Sequence, residues 1–313
     1  MVLILSEDND LSTIEVIEWL EFYGVRWVKI TKEDEFKLNF IGDDINFKSK
    51  SYNFNISDIK SFWFRRGYLN VKFIPTSILE LNEFLLTEFT DCVDYIYYVL
   101  QQKTHLNSIN KANVNKLIVN KIANILDIKT PEEYVFSSLP ALKNKLSKDI
   151  QYITKTISGS AMQVFEDFTI YNYTTLLKMD EINNDFFFPS LVQVKIEKKF
   201  ELRIFYLDGE FYPMAILSQK DEQTSLDFRN YNKKKPNRKV PFRLPKVIEV
   251  KLNALMKRVD LNCGSIDMIV TKKNEYVFLE VNPVGQFGMT SFPCNYNLEK
   301  KIANYLVYEY RKN

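Results

Sequence analysis

The chain has 313 residues, of which 46% are hydrophobic, and its 42 basic and 40 acidic residues leave a net charge of +2. At about 100 to 200 residues per domain, this length predicts two or three domains. The nearly balanced charge gives no global attraction to nucleic acid, and no apolar run approaches the roughly 18 to 20 residues of a membrane span. We therefore expect neither nucleic acid nor a membrane as a partner.

Histidine and cysteine are scarce. The chain has one histidine, His105, and three widely spaced cysteines, Cys92, Cys263 and Cys294. A catalytic triad or a histidine-based zinc site needs well-placed imidazoles, and an odd number of distant cysteines is typical of reduced thiols in the cytosol. The first ten residues, MVLILSEDND, lack the basic start of a signal peptide. We expect a cytoplasmic protein whose chemistry depends on carboxylates, lysines and arginines.

The N-terminal third alternates strands and helices. Val2–Leu5 is an apolar strand, 11–23 has helical spacing up to Gly24, and 25–30 is a second strand. This order predicts an α/β domain. A long helix follows at 79–100, and its apolar stripe predicts packing into the core by Leu81, Phe84, Leu85, Phe89, Val93 and Ile96.

Polar residues at 108–113 mark a domain boundary. Beyond it the sequence predicts a helix at 115–126, a strand at 134–136, a linker through Pro140 and lysine-rich 143–148, and a strand at 151–156. The remaining predicted strands are 191–196, 202–207, 211–217, 264–271 and 276–281, with Asp208-Gly209 as a hairpin turn.

The strongest candidate site is a set of oxygen ligands on the last two strands. Asp267 lies between Ile266 and Met268, and Glu280 and Asn282 occupy alternate positions of the next strand. Alternate residues share one face of a sheet, so these side chains converge. Burial of two carboxylates needs a compensating cation, and Mg²⁺ suits oxygen ligands. The alternative is a solvated sheet face.

Two lysines are candidate phosphate ligands. Lys116 begins the helix at 115–126, and Lys155 lies in a strand with apolar neighbours, where its charge needs an anion. The Ser158-Gly159-Ser160 loop follows Lys155, and its backbone amides could cover phosphates. Taken singly these signals are weak, since Lys116 also suits an exposed helix position and the loop has one glycine.

The strand at 191–196 runs into a segment that can serve as a hinge. Its backbone can meet the edge of an adenine ring through Gln193, Val194 and Ile196. Glu201 could accept from ribose hydroxyls, and Arg203, on the same face, could contact phosphates or a substrate carboxylate. A cross-strand ion pair on a sheet is the alternative for these two residues.

In this order along the chain, these residues resemble the ATP-grasp superfamily, and the similarity covers essentially the whole sequence. Within this superfamily, the sequence most resembles the peptide maturases that build graspetides, which include the microviridin ligases and the grasp-with-spasm maturases. The segments that carry this similarity are FWFRR (62–66), LVQVKIEKKFELRIFY (191–206), SLDFRNYN (225–232), GSIDMIV (264–270) and EVNPVGQFGMTSFPCNYNLEKKIANYL (280–306).

The resemblance implies an α+β ATP-grasp fold: a pre-ATP-grasp α/β domain at 1–110 and two lobes, 111–190 and 191–313, that clamp ATP. It implies that Lys116, Lys155 and the 158–160 loop bind phosphates, residues 193–196 bind adenine and Glu201 binds ribose. Asp267, Glu280 and Asn282 are implied to bind Mg²⁺, as a pair of ions. Two features depart from the family pattern, namely Val194 where an acidic residue is common and a phosphate loop poor in glycine.

The implied reaction phosphorylates a side-chain carboxylate of a ribosomal precursor peptide, and a Ser or Thr hydroxyl or a Lys amine then attacks the acyl phosphate. Leader-peptide binding and a homodimer are implied as well. Lys155, Arg203 and Arg229 are the candidate catalytic residues. We assign Arg229 to the acidic core of the precursor, while the nearby basic loop, 233–239, suits either a cover over the site or a solvated lysine run.

Two other functions remain open. A RimK-like ligase, which adds a free amino acid to a protein or peptide, shares the same residues. A non-catalytic peptide-binding module built on an ATP-grasp scaffold is the third hypothesis, although intact Asp267, Glu280 and Asn282 disfavour it.

Overall fold

The computed structural model describes residues 1–158, 162–219, 234 and 236–308. The chain divides into two compact units. The first contains Met1–Asn113, Asp260–Cys263 and Pro283–Asn313, and the second contains Val114–Val259 and Gly264–Asn282. The division into 1–110, 111–190 and 191–313 stays a prediction.

Most of the predicted helices and strands are present, within a few residues of their predicted ends. The first half of the chain contains β1 (Val2–Leu5), α1 (Leu11–Phe22), β2 (Trp27–Ile30), β3 (Lys37–Ile41), β4 (Asp44–Lys48), β5 (Asn53–Asn55), β6 (Ser61–Phe64), α2 (Leu79–Gln101), β7 (Thr104–Leu106), α3 (Lys116–Ile125), β8 (Glu133–Ser138), α4 (Leu139–Lys145) and β9 (Tyr152–Lys155).

The described part of the second half of the chain adds further strands and three helices. They are β10 (Met162–Val164), β11 (Thr169–Tyr171), β12 (Thr175–Leu176), β13 (Phe186–Val194), β14 (Lys198–Leu207), β15 (Glu210–Leu217), β16 (Arg238–Pro241), α5 (Lys246–Arg258), β17 (Cys263–Thr271), β18 (Tyr276–Asn282), α6 (Gly288–Cys294) and α7 (Leu298–Leu306). Of these, the elements without a counterpart among the predicted ones are β10, β11, β12, β16, α5, α6 and α7.

The first unit is built around a parallel sheet of order β2-β1-β6-β7. Every residue of β1 and β6 is buried, as expected for parallel strands covered on both faces. A second, antiparallel sheet of order β3-β4-β5 packs Phe47 and Phe54 into the same core. The predicted N-terminal α/β arrangement is therefore confirmed.

Helix α2 departs from its predicted packing. Of its apolar stripe, Ile96 is fully buried, whereas Leu81 is 39% and Phe84 is 59% exposed. The buried residues of α2 lie near its C-terminal end, where it packs on β6 and β7. A helix of this length extends about 35 Å, and a four-residue strand about 13 Å. The short strands cannot cover the whole stripe, so the prediction of core packing was wrong for its N-terminal part.

The predicted linker at Pro140 is a helix. The Ser138 side chain caps α4 by accepting a hydrogen bond from the Ala141 N–H, and Pro140 lies in the first turn. Proline is tolerated there because the first N–H groups of a helix have no partner within it. A serine followed by Pro140 was therefore a start signal, and the lysines that we read as a linker belong to the helix and the residues after it.

The described part of the second unit contains three sheets. One is antiparallel with order β12-β9-β13-β8, another has five strands in the order β16-β15-β14-β17-β18, and the third is the antiparallel pair of β10 and β11. The predicted turn between β14 and β15 is confirmed, with positive φ angles of 43° at Asp208 and 93° at Gly209. No described helix combines the length and hydrophobicity needed to cross a membrane.

Candidate functional site

The predicted oxygen ligands lie on the hairpin of β17 and β18. Asp267 pairs with Glu280 in the antiparallel register, and Ser265 pairs with Asn282, with a bulge directly after Asp267. Directly paired residues share a face of a sheet. The three predicted ligands are therefore brought to one face. On it Asp267 is buried, Glu280 is half-buried and Asn282 is exposed.

Each carboxylate has a basic side chain beside it. Arg203 Nη1 donates to both carboxylate oxygens of Asp267, at 3.1 and 3.0 Å. Lys116 Nζ lies 2.9 Å from Glu280 Oε2 and donates to the Thr156 carbonyl at 3.0 Å. The side chains of Arg203 and Lys116 are only 8% and 7% exposed. Such pairing compensates the cost of burying charge.

The donor set suits a magnesium ion that is bound together with phosphate. Among the described residues no three His, Cys, Asp or Glu side chains form a metal cluster. Mg²⁺ commonly uses one or two carboxylates and completes its shell with water and substrate phosphates. Asp267 and Glu280, paired on one face, provide two such carboxylates, and Asn282 provides a third oxygen on that face.

A pocket runs along two of the sheets of the second unit, and both carboxylates line it. Its walls come from β9 and β13 on one side and from β14, β17 and β18 on the other. The lining residues are Pro131, Ile153, Lys155, Thr174, Gln193, Val194, Ile196, Lys198, Glu201, Leu202, Asp267, Ile269, Leu279 and Glu280. An apolar pocket with a few convergent polar groups is the usual form of a small-molecule site.

The predicted hinge lies at the end of β13. The N–H groups of Val194 and Lys195 are bonded to the carbonyls of Glu132 and Gln151. No described residue accepts from the N–H of Ile196, which follows them in the pocket wall. Within the predicted segment, Ile196 is therefore the position whose amide is available to a ligand.

The side chain of Gln193 belongs to a buried polar cluster that sequence reasoning missed. Its Nε2 donates to Glu133 Oε2 at 2.7 Å, and Asn120 Nδ2 donates to the same oxygen at 2.9 Å. The Gln193 Oε1 and Asn120 Oδ1 atoms are buried without a partner among the described residues. A polar residue inside an apolar strand was the signal for Gln193, but nothing in the sequence linked it to Asn120 and Glu133.

Glu201 lies in the pocket wall with a lysine beside it. Lys198 Nζ contacts Glu201 Oε1 at 2.6 Å, and Ser218 Oγ donates to the same oxygen at 2.9 Å. Burial raises the pKa of Glu201, and the lysine and serine act in the opposite direction. Lys198 and Ser218 are further site residues that the sequence analysis missed. Lys198 is three residues before Glu201 on the same strand, which was the available signal.

Lys155 ends β9 and lines the pocket, and Ser158 is exposed just beyond it. Gly159, Ser160 and Arg229 lie outside the described residues. Arg203 is not part of the pocket wall, because its guanidinium is directed to Asp267. The structure thus brings together Lys155, Glu201, the hinge and the carboxylates, while the roles of all these residues stay predictions.

No cysteine is placed to act as a nucleophile in this pocket. Cys92 is exposed on α2, and Cys263 and Cys294 are buried in the first unit. Burial raises the pKa of Cys263 to about 12, so its thiol stays protonated at neutral pH. Carboxylates and basic side chains remain the reactive groups of the site.

The chain matches no family model, and no curated protein matches it by sequence. Solved structures do match it. Macrocyclase MdnC from Microcystis aeruginosa MRC, solved with the precursor peptide MdnA, is 26% identical, with 98% of this chain and 99% of MdnC covered and a TM-score of 0.77. The chain has the ATP-grasp fold.

Two more ATP-grasp structures are similar to this chain over nearly its whole length. A RiPP-associated ATP-grasp ligase from Chryseobacterium gregarium, in complex with ADP and a leader and core peptide, is 21% identical, with 100% and 97% coverage and a TM-score of 0.79. D-alanyl-alanine synthetase A from Vibrio cholerae is 14% identical, with 98% and 97% coverage and a TM-score of 0.61.

These matches confirm three predictions: the α+β ATP-grasp fold class, the resemblance to ATP-grasp peptide maturases and the enzyme class, an ATP-grasp carboxylate ligase. In the ATP-grasp fold of this chain, the described pocket residues all belong to the second unit.

Proposed function

We propose that this protein is an ATP- and Mg²⁺-dependent ligase that macrocyclises a ribosomal precursor peptide. It joins Asp or Glu side-chain carboxylates to Ser or Thr hydroxyls, or to Lys amines, through ω-ester or ω-amide bonds. The observation that carries the chemistry is the pairing of Asp267 with Glu280 in the wall of a pocket that Lys155 also lines. The substrate is inferred from the similarity to MdnC, which was solved with its precursor peptide.

The predicted site residues divide between the parts of the nucleotide. The hinge, Gln193 to Ile196, takes the adenine, and Glu201, held by Lys198 and Ser218, faces the ribose. Lys116, Lys155 and the Ser158 to Ser160 loop bind the phosphates. Asp267, Glu280 and Asn282 would hold Mg²⁺, with two ions as the proposed number, and bound metal would neutralise charge on the transferred phosphoryl group.

The reaction proceeds in two steps, phosphoryl transfer and acyl transfer. An oxygen of the peptide carboxylate takes the γ-phosphoryl group of ATP, which gives an acyl phosphate and ADP. The hydroxyl or amine of the same peptide then attacks the acyl carbon, loses its proton, and phosphate leaves. Positioning and charge neutralisation carry such phosphoryl transfer, so no nucleophilic side chain is needed.

Among these residues, Lys155 lies on the pocket wall, where its ammonium can bind the phosphoryl oxygens. Arg203 holds the Asp267 carboxylate through two hydrogen bonds, and this fixes the carboxylate against rotation. We propose that Arg203 contacts the phosphates or the substrate carboxylate and that Arg229 contacts the acidic core of the peptide, as the sequence analysis predicts.

The partners are inferred from relatives. The Chryseobacterium gregarium ligase was solved with a leader and a core peptide and with ADP, and PsnB was solved with a minimal precursor, Mg and ADP. We infer that this chain binds the leader and core of its own precursor. A homodimer and a cytoplasmic location complete the proposal, and light scattering after size-exclusion chromatography measures the first of these.

The test is to measure ADP release with ATP and Mg²⁺, with and without the peptide encoded beside this gene, together with the mass of the peptide. We expect peptide-dependent ADP release and a loss of about 18 Da, one water, for each bond formed. Mass gained from a supplied amino acid would instead identify a RimK-like ligase. No ADP release under any condition would identify a peptide-binding module and refute the proposal.

A further inference from the structure

The two ends of the β17–β18 hairpin are bonded to one buried side chain, that of Asn107. Its Oδ1 accepts from the Cys263 N–H at 3.1 Å, and its Nδ2 donates to the Cys263 carbonyl at 2.9 Å. The same Nδ2 donates to the Pro283 carbonyl at 3.2 Å. Cys263 is the first residue of β17, and Pro283 directly follows Asn282, the last residue of β18. The side-chain amide of Asn107 therefore links the first residue of β17 to the residue that follows β18.

Asn107 is itself held in place. It directly follows β7, is 4% exposed and has a φ of 54°, a left-handed conformation that asparagine and glycine adopt most readily. Its N–H donates to Asn262 Oδ1 at 2.8 Å, and Asn262 Nδ2 donates to the His105 carbonyl at 2.7 Å. Asparagine therefore meets both demands of this position, the left-handed backbone and an amide that donates and accepts.

The segment after the hairpin is held by further side chains. The buried Arg65 donates from Nη1 to the carbonyls of Val284 and Gly285, and its Nε lies 3.0 Å from Asp10 Oδ2. Ser12 Oγ donates to Gln286 Oε1 at 2.7 Å. Residues 283–286, which follow the hairpin, are thus each held by a polar contact with a side chain. A loop that only connects two elements would not need such contacts.

We propose that Asn107 is a positioning residue for the proposed metal site, and that it sets the ends of the hairpin that carries Asp267, Glu280 and Asn282. This inference rests on the proposed function. Metal ligands must be held to within about 0.5 Å of their working geometry, and loss of a supporting hydrogen bond typically weakens metal binding about 10- to 100-fold. Asn107 contacts no metal ligand directly and acts through the strand ends.

The test compares two deletions of an asparagine side chain. Asn107→Gly removes the amide without strain, because glycine accepts a positive φ. Asn46→Ala is the matched control, since Asn46 Nδ2 contacts Asn53, Phe54 and Asn55 in the sheet of β3 to β5 and no residue of the hairpin ends. Mn²⁺ replaces Mg²⁺ as the probe, and its binding in the presence of ADP is measured by electron paramagnetic resonance, without peptide or turnover.

We expect Asn107→Gly to raise the Kd for Mn²⁺ about tenfold, and Asn46→Ala to leave it within about twofold, although both variants lower the unfolding temperature. A purely structural role for Asn107 would lower the unfolding temperature without changing the Kd, and this result would overturn the inference.

Asn107→Asp is a second variant that tests the inference if the glycine variant does not fold. Aspartate keeps the acceptor for the Cys263 N–H and tolerates a positive φ, but it cannot donate to the Cys263 and Pro283 carbonyls. It should weaken Mn²⁺ binding at least as much as the glycine variant, and unchanged binding would again overturn the inference. If the wild-type protein with ADP binds no Mn²⁺, the proposed function fails and the inference fails with it. If the wild-type protein binds Mn²⁺ and both Asn107 variants bind it equally well, the inference is refuted while the proposed function stands.

Discussion

At the scale of single residues, the carboxylates of β17 and β18 show what a local pattern can predict. Apolar neighbours on both sides predicted that Asp267 would be buried, and its side chain is 12% exposed. The pattern required a compensating cation, for which we predicted Mg²⁺, but it did not show the basic side chains beside the carboxylates. Arg203 and Lys116 lie beside the two carboxylates, so the charge is already partly balanced by the chain, and Mg²⁺ would add to this balance rather than supply it alone.

Glu280→Gln tests the carboxylate of β18. The substitution keeps the shape but removes the charge beside the proposed metal, and it leaves Lys116 opposite a neutral amide. We expect peptide-dependent ADP release, measured as an initial rate at fixed Mg²⁺, to fall at least about 100-fold, because a metal ligand that stabilises phosphoryl charge contributes several kcal/mol.

Glu275→Gln is the matched control for this change. Glu275 precedes β18 and pairs with Lys129 at 2.7 Å, and both side chains of this ion pair are exposed. Exposed ion pairs contribute little, about 0 to 1 kcal/mol, so we expect the rate to stay within about twofold. An equal loss in both variants would show that hairpin stability, and not the Glu280 carboxylate, limits the rate.

At the scale of elements, periodicity predicted which residues share one face of a helix or strand. It did not predict how much of that face a neighbouring element covers. The hairpin of β14 and β15 was predicted almost to the residue, because strands and turn are adjacent in sequence. The stripe of α2 was predicted as a face, yet only its C-terminal part is covered, since the strands beneath it are short. Local patterns therefore fix the elements better than their packing.

The free energy of unfolding should separate the two parts of α2. Ile96→Ala removes a fully buried side chain, and we expect it to cost about 2 to 5 kcal/mol in urea unfolding. Phe84→Ala truncates a side chain of the same stripe that is 59% exposed, and it should cost less than about 1 kcal/mol. Equal costs would mean that the N-terminal part of α2 is covered in solution.

At the scale of the whole molecule, the described pocket lies within the second unit, which holds both sheets that line it. A ligand that binds only the folded chain stabilises it, by about 2.7 kcal/mol at a concentration of 100 times its Kd. Binding of nucleotide should therefore be visible without any peptide substrate.

We expect ADP with Mg²⁺ to raise the unfolding temperature, measured by calorimetry, and ADP with EDTA to raise it much less, because the proposed carboxylates bind the phosphates through the metal. Mg²⁺ alone serves as the control and should change the temperature little. An equal rise with EDTA would contradict a metal site at Asp267 and Glu280, since nucleotide binding would then not need the metal.

The sequence by itself determined the order of the elements, the turn at Asp208-Gly209 and the common face of Asp267, Glu280 and Asn282. These features follow from local periods and turn chemistry, which neighbouring residues decide. It also determined the resemblance to ATP-grasp peptide maturases, which the structural matches confirm.

Only the tertiary structure decided which side chains surround these groups. Arg203 meets Asp267 across 64 residues of sequence, and Asn107 meets Cys263 and Pro283 across 156 and 176 residues. It also decided the extent of α2 that is buried and the cluster of Gln193 with Glu133 and Asn120. Such contacts arise when distant segments pack together, and the energy of a buried polar group depends on those partners rather than on its neighbours in the chain.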